Sequence, residues 1–401
     1  MDQNSIRAMI VFSDTHLGLA PWTVGPFENT VTDRSSIVHQ FVRWLLDLEN
    51  KTAKEVLVGN ELDQICRKKL LSPDELVLNG DILELWDASD RAVDLSSQSI
   101  FQDLMQLRCR KLYLAGNHDF AIRQVKRCYP WGNSDLNILP DTYPNIKGED
   151  IETVKVGENH YLILHGHQLS KTFRIAPWRL VPMLRDGAEA FRSYSWILVA
   201  LLSIMLVASI FSPLLTPAIP LPAALAFPRL FVSFARPIWN YFNKKRRHRY
   251  NTNASAKGFV DWWKILLQKK KNATSRIHIV YGHTHLTNLI FSKQELEEKV
   301  GSKIDGPDLV LINHGAWVKD TKHEHVTQAI FLYIDAEGFE FFGWDWNCER
   351  PFHIPKEVIR IRMACKTIDP QTAEWLGNLG WPDQLIKEWK TTTEIQHKKA
   401  S

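Results

Sequence analysis

Short apolar runs rich in β-branched residues recur along the chain: AMIVFSD, ELVLNGD, KLYLAGNHD, HYLILHGH, RIHIVYGHTH and DLVLINHG. Each is too short for a stable helix and ends in Gly, Asn, Asp or His, so each reads as a buried strand. Helical periodicity appears between the early runs. From Ser36 to Leu48 the apolar residues Val38, Phe41, Val42, Leu45 and Leu46 share one face, and Ser97 to Leu107 forms a second amphipathic candidate. The alternation predicts an α/β layered domain. Further on, AIFLYIDAEGFEFFGWDW reads as a hairpin around Glu337 and Gly338, and DQLIKEWK as a short C-terminal helix.

The polar residues that end these runs carry the chemistry. In order they are Asp14-x-His16, Gly80-Asp81, Gly116-Asn117-His118-Asp119, His165-Gly-His167 and Gly282-His283-x-His285. Alternate residues of an extended chain point the same way, so D-x-H and H-x-H can each aim two donors into one space. Ligand sites of open α/β sheets gather at the carboxyl ends of strands. Strand tips bearing carboxylates, imidazoles and an amide therefore predict one metal site. Taken alone, Gly116-Asn117 has a plainer reading as an ordinary turn.

The five blocks, in this order, resemble the signature of the calcineurin-like metallophosphoesterase superfamily over roughly residues 8 to 320. The resemblance implies a layered β-sandwich flanked by helices and a metal-dependent phosphoric ester hydrolase. It also implies two divalent ions, manganese as first choice, with iron, cobalt or zinc as alternatives. Asp14, His16, Asp81 and His285 would hold one ion, and Asp81, Asn117, His165 and His283 the other, with Asp81 shared. By the same resemblance His118 is catalytic, contacting the phosphoryl oxygens or the leaving group, and Asp119 orients its ring. A mixed N/O donor set without thiolate suits these ions better than magnesium or calcium. His167 is either a substrate contact or a filler beside the ions, His314 lines the site from a turn, and His39 is structural.

Between His165 and His283 lies SYSWILVALLSIMLVASIFSPLLTPAIPLPAALAFP, residues 193 to 228, without a charged side chain. A membrane span needs about 20 apolar residues. Both flanking histidines must reach one metal centre, so a single crossing is excluded. Prolines at 213, 217, 220, 222 and 228 with Arg229 and Arg236 beyond argue against two full crossings. A re-entrant or interfacial helical hairpin fits better, and a buried core helix or dimer contact is the alternative. Arg174, Arg179, Arg185 and Arg192 precede the run and KKRRHR at 244 to 249 follows it, as on a cytoplasmic face meeting anionic lipid. Trp178, Trp196, Trp239, Trp262 and Trp263 read as an interfacial aromatic belt. The basic cluster could instead be a nuclear signal or a nucleic-acid patch.

Composition changes this picture little. The net charge of +4 is too small to imply nucleic-acid binding, and five cysteines without a C-x-x-C pair suggest neither a disulfide framework nor a zinc knuckle. A reducing compartment fits, and the N-terminus lacks a secretory apolar region. The expected organisation is a metallophosphoesterase domain in two parts, 1–173 and 256–350. A membrane-associating insertion at 174–255 interrupts it, and a C-terminal extension, 351–401, follows. The layout is similar to UDP-2,3-diacylglucosamine pyrophosphatases, which also carry a lid between these motifs, although they have Arg where His118 stands. The expected function is hydrolysis of a phosphodiester, pyrophosphate or phosphomonoester on a lipid-linked substrate, by a monotopic or peripheral enzyme that docks on the membrane through residues 193–249. The alternatives are a membrane-anchored nuclease or protein phosphatase, or a non-catalytic metal-binding scaffold.

Overall fold

The computed structural model describes residues 6–18, 34–124 apart from 52, 60, 62–63, 86–87 and 89, then 136–146, 150–169, 252–269, 276–283, 289–317, 329–363 and 368–387 apart from 384. The chain divides into two units, Met1–Ser170 with Ala256–Ser401, and Lys171–Ser255. The apolar run at 193–228, its flanking arginines and the 244–249 cluster lie outside the described residues, so the expected hairpin does too. Among the described residues, no helix is long and apolar enough to cross a membrane.

In chain order the strands are β1 (Ala8–Phe12), β2 (Ala53–Gly59), β3 (Ile65–Leu71), β4 (Glu75–Asn79), β5 (Arg110–Leu114), β6 (Leu136–Leu139), β7 (Thr142–Tyr143), β8 (Val154–Val156), β9 (Asn159–Leu164), β10 (Arg276–Tyr281), β11 (Leu289–Ser292), β12 (Asp308–Asn313), β13 (Ile330–Asp335), β14 (Gly338–Asp345) and β15 (Arg350–Ile354). The helices are α1 (Arg34–Lys51), α2 (Asp90–Leu104), α3 (Thr252–Lys269), α4 (Lys293–Val300), α5 (Lys356–Met363) and α6 (Pro370–Asn378). All six apolar runs form strands, namely β1, β4, β5, β9, β10 and β12.

A seven-stranded sheet runs β15-β14-β13-β1-β4-β5-β6, and a six-stranded sheet runs β11-β12-β10-β9-β7 with β8 beside β9. Strands β1, β4, β5 and β6 are mutually parallel, as are β9, β10 and β12. Parallel strands buried on both faces have no polar alternation, which is why these runs are continuously apolar. Successive residues nevertheless face different cores. Ile10, Phe12, Leu76, Leu78 and Tyr113 join a cluster with Phe41, Leu45 and Leu48 of α1. Their neighbours Met9, Val11, Val77, Leu112 and Leu114 meet Tyr161, Ile163, Val280 and Ile312 between the two sheets. Leu162, Leu164, Ile277 and Ile279 pack outward against Phe259 and Trp263 of α3. The result is a helix-sheet-sheet-helix sandwich whose parallel strands deliver their carboxyl ends to one edge.

One expectation changes here. Trp263 is fully buried, its indole N–H donating to Asp305 O at 3.3 Å, and Trp262 packs partly buried beside it. These two side chains serve the core under the second sheet rather than an interfacial belt, because α3 turns its apolar face to the protein. The described residues of the C-terminal extension pack onto the domain. β15 pairs with β14 in the first sheet, and Trp375, Leu376 and Trp381 fill the inter-sheet core. The hairpin expected near Glu337 and Gly338 is β13–β14, paired from Ile330↔Gly343 to Asp335↔Gly338.

Candidate metal centre

The polar tips meet at the edge where the parallel strands of both sheets end. Asp14 and His16 follow β1, Asp81 follows β4, Asn117 and His118 follow β5, His165 and His167 follow β9, and His283 follows β10. Tight backbone turns aim them. Asp14, His16, Asp81 and His283 all hold positive φ, between 45° and 67°, a region costly for residues with a Cβ. The loops are laced together by Asp14 N–H to Gly80 O (3.0 Å), His16 N–H to Asp81 O (2.9 Å) and Gly282 N–H to His165 O (2.9 Å).

Two donor groups share Asp81. One is Asp14, His16 and Asp81, and the other Asp81, His165 and His283, with the donor atoms of each group within 4.8 Å of one another. Oδ2 of Asp81 faces His165 Nε2 at 3.1 Å and His16 Nε2 at 3.9 Å. Two donors on one ion at about 2.0–2.2 Å stand about 3–4 Å apart, so these separations suit a cation between them. Oδ1 of Asp81 accepts the His118 N–H at 2.8 Å, which fixes the carboxylate. Each imidazole spends Nδ1 elsewhere: His16 on Glu84 Oε2 at 2.8 Å, His165 on Asn79 O at 2.7 Å. That leaves Nε2 turned toward Asp81, the arrangement in which outer partners fix the tautomer of a metal-binding histidine.

The fit to divalent ions is also visible in unmet bonding. Asn117 Oδ1 is buried with no hydrogen-bond partner. Buried polar atoms are normally satisfied, and orphans of this kind call for an ion or water. Electrostatics agree. Burial alone would strip charge from His165, but Asp81 and Asp14 overcome it and lift the imidazole to about 10. Burial opposes ionisation of Asp81 too, yet the neighbouring His165, His118 and His16 hold it well below the ordinary carboxyl range. A pocket that charges a buried imidazole is one where positive charge is favoured.

A third cluster, His16, Glu84 and His118, also brings donors together. Here the carboxylate touches both Nδ1 atoms directly, at 2.8 Å to His16 and 2.9 Å to His118. Those are hydrogen-bond lengths with no space for an ion, so this cluster is a bonded triad. Burial would raise the Glu84 carboxyl, but the hydrogen bonds from His118 and His16, with their charges, hold it far below its ordinary range.

The triad corrects one expected role. Asp119 does not orient His118. Its carboxylate accepts N–H bonds from Gly116 (2.6 Å) and Ile82 (2.9 Å) and the Tyr113 hydroxyl, so it braces the loop from below. Burial, then the nearby Asp81 charge, pushes Asp119 up to about 6. Glu84 takes the orienting position instead, and reading the motifs missed it. The available signal was an acidic residue three places after Asp81 in the otherwise apolar GDILEL.

His167 is buried, its ring 5.6 Å from that of His165 and 6.3 Å from that of His283, and burial drives its pKa well below the ordinary value. It stands beside the second donor group as a neutral ring. His314 N–H donates to Tyr281 O at 3.0 Å, which places it in the turn after β12. His39 bonds Asp103 at 2.7 Å and links α1 to α2. His285 lies outside the described residues.

Glycine is required where the loops cross. A Cβ on Gly116 would stand 2.1 Å from Asp81 Oδ1 and 2.5 Å from the Asp81 backbone nitrogen. Neither atom belongs to a flexible tip, so Gly116→Ala must displace the shared carboxylate. The expected outcome is a loss of about tenfold or more in divalent-ion affinity by titration calorimetry. Unchanged affinity would mean that Asp81 is not held where the structure places it.

Residues 9–199 match the model of the calcineurin-like phosphoesterase family, a span that contains every candidate donor from Asp14 to His165. Among curated proteins, none matches the chain. The strand-tip donors, the shared carboxylate and the sandwich that carries them agree with that match: residues 9–199 carry a calcineurin-like phosphoesterase domain, which indicates a metal-dependent phosphoric ester hydrolase.

Proposed function

We propose that the protein is a two-metal phosphoesterase that cleaves a phosphodiester, pyrophosphate or phosphomonoester on a lipid-linked substrate at the cytoplasmic face of a membrane. The observation that carries the hydrolytic part is the Asp81 carboxylate facing both His16 and His165. What supports the lipid part is the uncharged run at 193–228, framed by arginines and followed by KKRRHR. The substrate of the UDP-2,3-diacylglucosamine pyrophosphatases belongs to this class, although His118 replaces their characteristic Arg.

In this reading Asp14, His16 and Asp81, with His285, hold one ion, and Asp81, Asn117, His165 and His283 the other, manganese first and iron, cobalt or zinc as alternatives. When bound, such a pair polarises phosphoryl oxygens and makes a water nucleophilic near neutral pH. The chain supplies the rest. His118 is the partly exposed member of its triad, and Glu84 accepts its Nδ1–H, which orients the ring so that Nε2 is the atom to meet the substrate. From there it donates to a phosphoryl oxygen or protonates the departing oxygen.

The test separates chemistry from lipid recognition. Manganese-loaded protein should hydrolyse both bis(p-nitrophenyl) phosphate and a phospholipid or lipid pyrophosphate in mixed micelles, and should float with anionic vesicles. Removing residues 193–228 should abolish flotation and lipid turnover while the chromogenic diester is still cleaved. Full lipid turnover by the deletion variant in detergent would reduce the segment to an anchor and sink the lipid-seating reading.

A further inference from the structure

Asn79 and His314 do not belong to the donor set, yet they sit directly behind it. Asn79 ends β4 in the first sheet, and His165 and His314 follow β9 and β12 of the second. The backbone carbonyl of Asn79 accepts His165 Nδ1–H at 2.7 Å, and its side-chain Nδ2 lies 3.0 Å from Leu164 O and 3.0 Å from His314 Nε2. All of these groups are buried.

Their chemistry allows one assignment. The Leu164 carbonyl can only accept, so the amide atom facing it must be nitrogen, and the amide cannot be flipped. The second hydrogen of that nitrogen then points to His314 Nε2, which must be an unprotonated acceptor. His314 is therefore the neutral Nδ1–H tautomer. Through Asn79 it ties the tip of β4 to Leu164, the residue before His165, while the Asn79 carbonyl orients the His165 ring. The bond from the His314 backbone N–H to Tyr281 O holds the turn after β12 beside β10, next to the loop that carries His283.

We propose that His314 and Asn79 are a positioning pair for the second metal position, holding the His165 tautomer and the approach of β4 to β9 so that Nε2 meets the ion shared with Asn117 and His283. The inference rests on the reading of His165 as a ligand. It assigns part of the affinity of the second metal position to residues outside the ligand set. Outer partners of metal-binding histidines commonly govern affinity by about 10–100-fold.

Manganese titration of the metal-free protein, by calorimetry and by the spin-coupled signal of a manganese pair in electron paramagnetic resonance, tests it. His314→Leu should weaken binding of the second ion by about tenfold or more and lose the coupled signal, with the first ion bound as in wild type. His314→Gln, whose amide oxygen can occupy the Nε2 position, should retain the signal and come within about threefold of wild type. If the leucine variant does not fold, Asn79→Ser removes the same bond from the other side and carries the comparison. Equal weakening of both ions, an unchanged second ion, or a glutamine variant no better than leucine would each overturn the pair's positioning role. Wild-type protein that binds no second ion would instead remove the ligand assignment itself.

Discussion

Asp81→Ala should abolish phosphodiester hydrolysis, with kcat/KM falling about a thousandfold or more. The size follows from what Asp81 joins. Its two oxygens face His16, His165 and the His118 backbone N–H, so one truncation removes the carboxylate shared by both donor groups and lets the loop after β5 loosen. Metal-based stabilisation of phosphoryl charge is worth several kcal/mol, and each 1.4 kcal/mol or so is a factor of ten in rate. Metal analysis of the purified variant should show fewer bound ions than wild type. Turnover of bis(p-nitrophenyl) phosphate at the wild-type rate would refute the site.

The second large effect belongs to Glu84→Ala. The glutamate is buried and holds both His16 and His118 through Nδ1, so its loss acts on two functions at once. General acid catalysis contributes about 10²–10⁴-fold, and a His118 free to rotate should lose most of it, giving a kcat drop of about a hundredfold or more with KM little changed. Affinity at the His16 position should fall by about tenfold. A kcat within a factor of two or three of wild type would show that His118 does not need this carboxylate.

Glu84 also predicts a pH dependence of stability in the metal-free protein. Its folded carboxyl lies below the ordinary 4.5, with burial opposing the shift and the hydrogen bonds from His118 and His16 outweighing it. A depressed carboxyl stabilises the fold fully above its unfolded value, and this stabilisation drains away as the pH falls below 4.5 toward the folded value. Thermal melts of wild type and Glu84→Gln should therefore converge on acidification below that point. Curves that stay parallel from neutral pH downward would contradict the assignment.

The pattern of residues anticipates the strands well and the triad poorly, for separable reasons. A strand buried on both faces is apolar along its whole length, so β1, β4, β5, β9, β10 and β12 are visible locally. Short runs such as β7 and β8 and the pairing of β15 with β14 leave no such mark, because their burial depends on neighbours distant in the chain. Adjacency suggested Asp119 as the partner of His118. In the folded chain the turn after β5 swings that carboxylate under its own loop, toward Gly116, Ile82 and Tyr113. Glu84 arrives from the neighbouring tip of β4, thirty-four residues earlier in the chain.

From sequence alone came the strand set, the order of the polar tips and the residue types able to hold a cation, since hydrophobic period and donor chemistry are local properties. Only the tertiary structure decided which carboxylate meets which imidazole, that Trp263 belongs to a core, and that Asn79 stands between His165 and His314. Those matters depend on strand order and register across two sheets, and hydrogen bonds a few ångströms long cannot be read from spacings of tens or hundreds of residues.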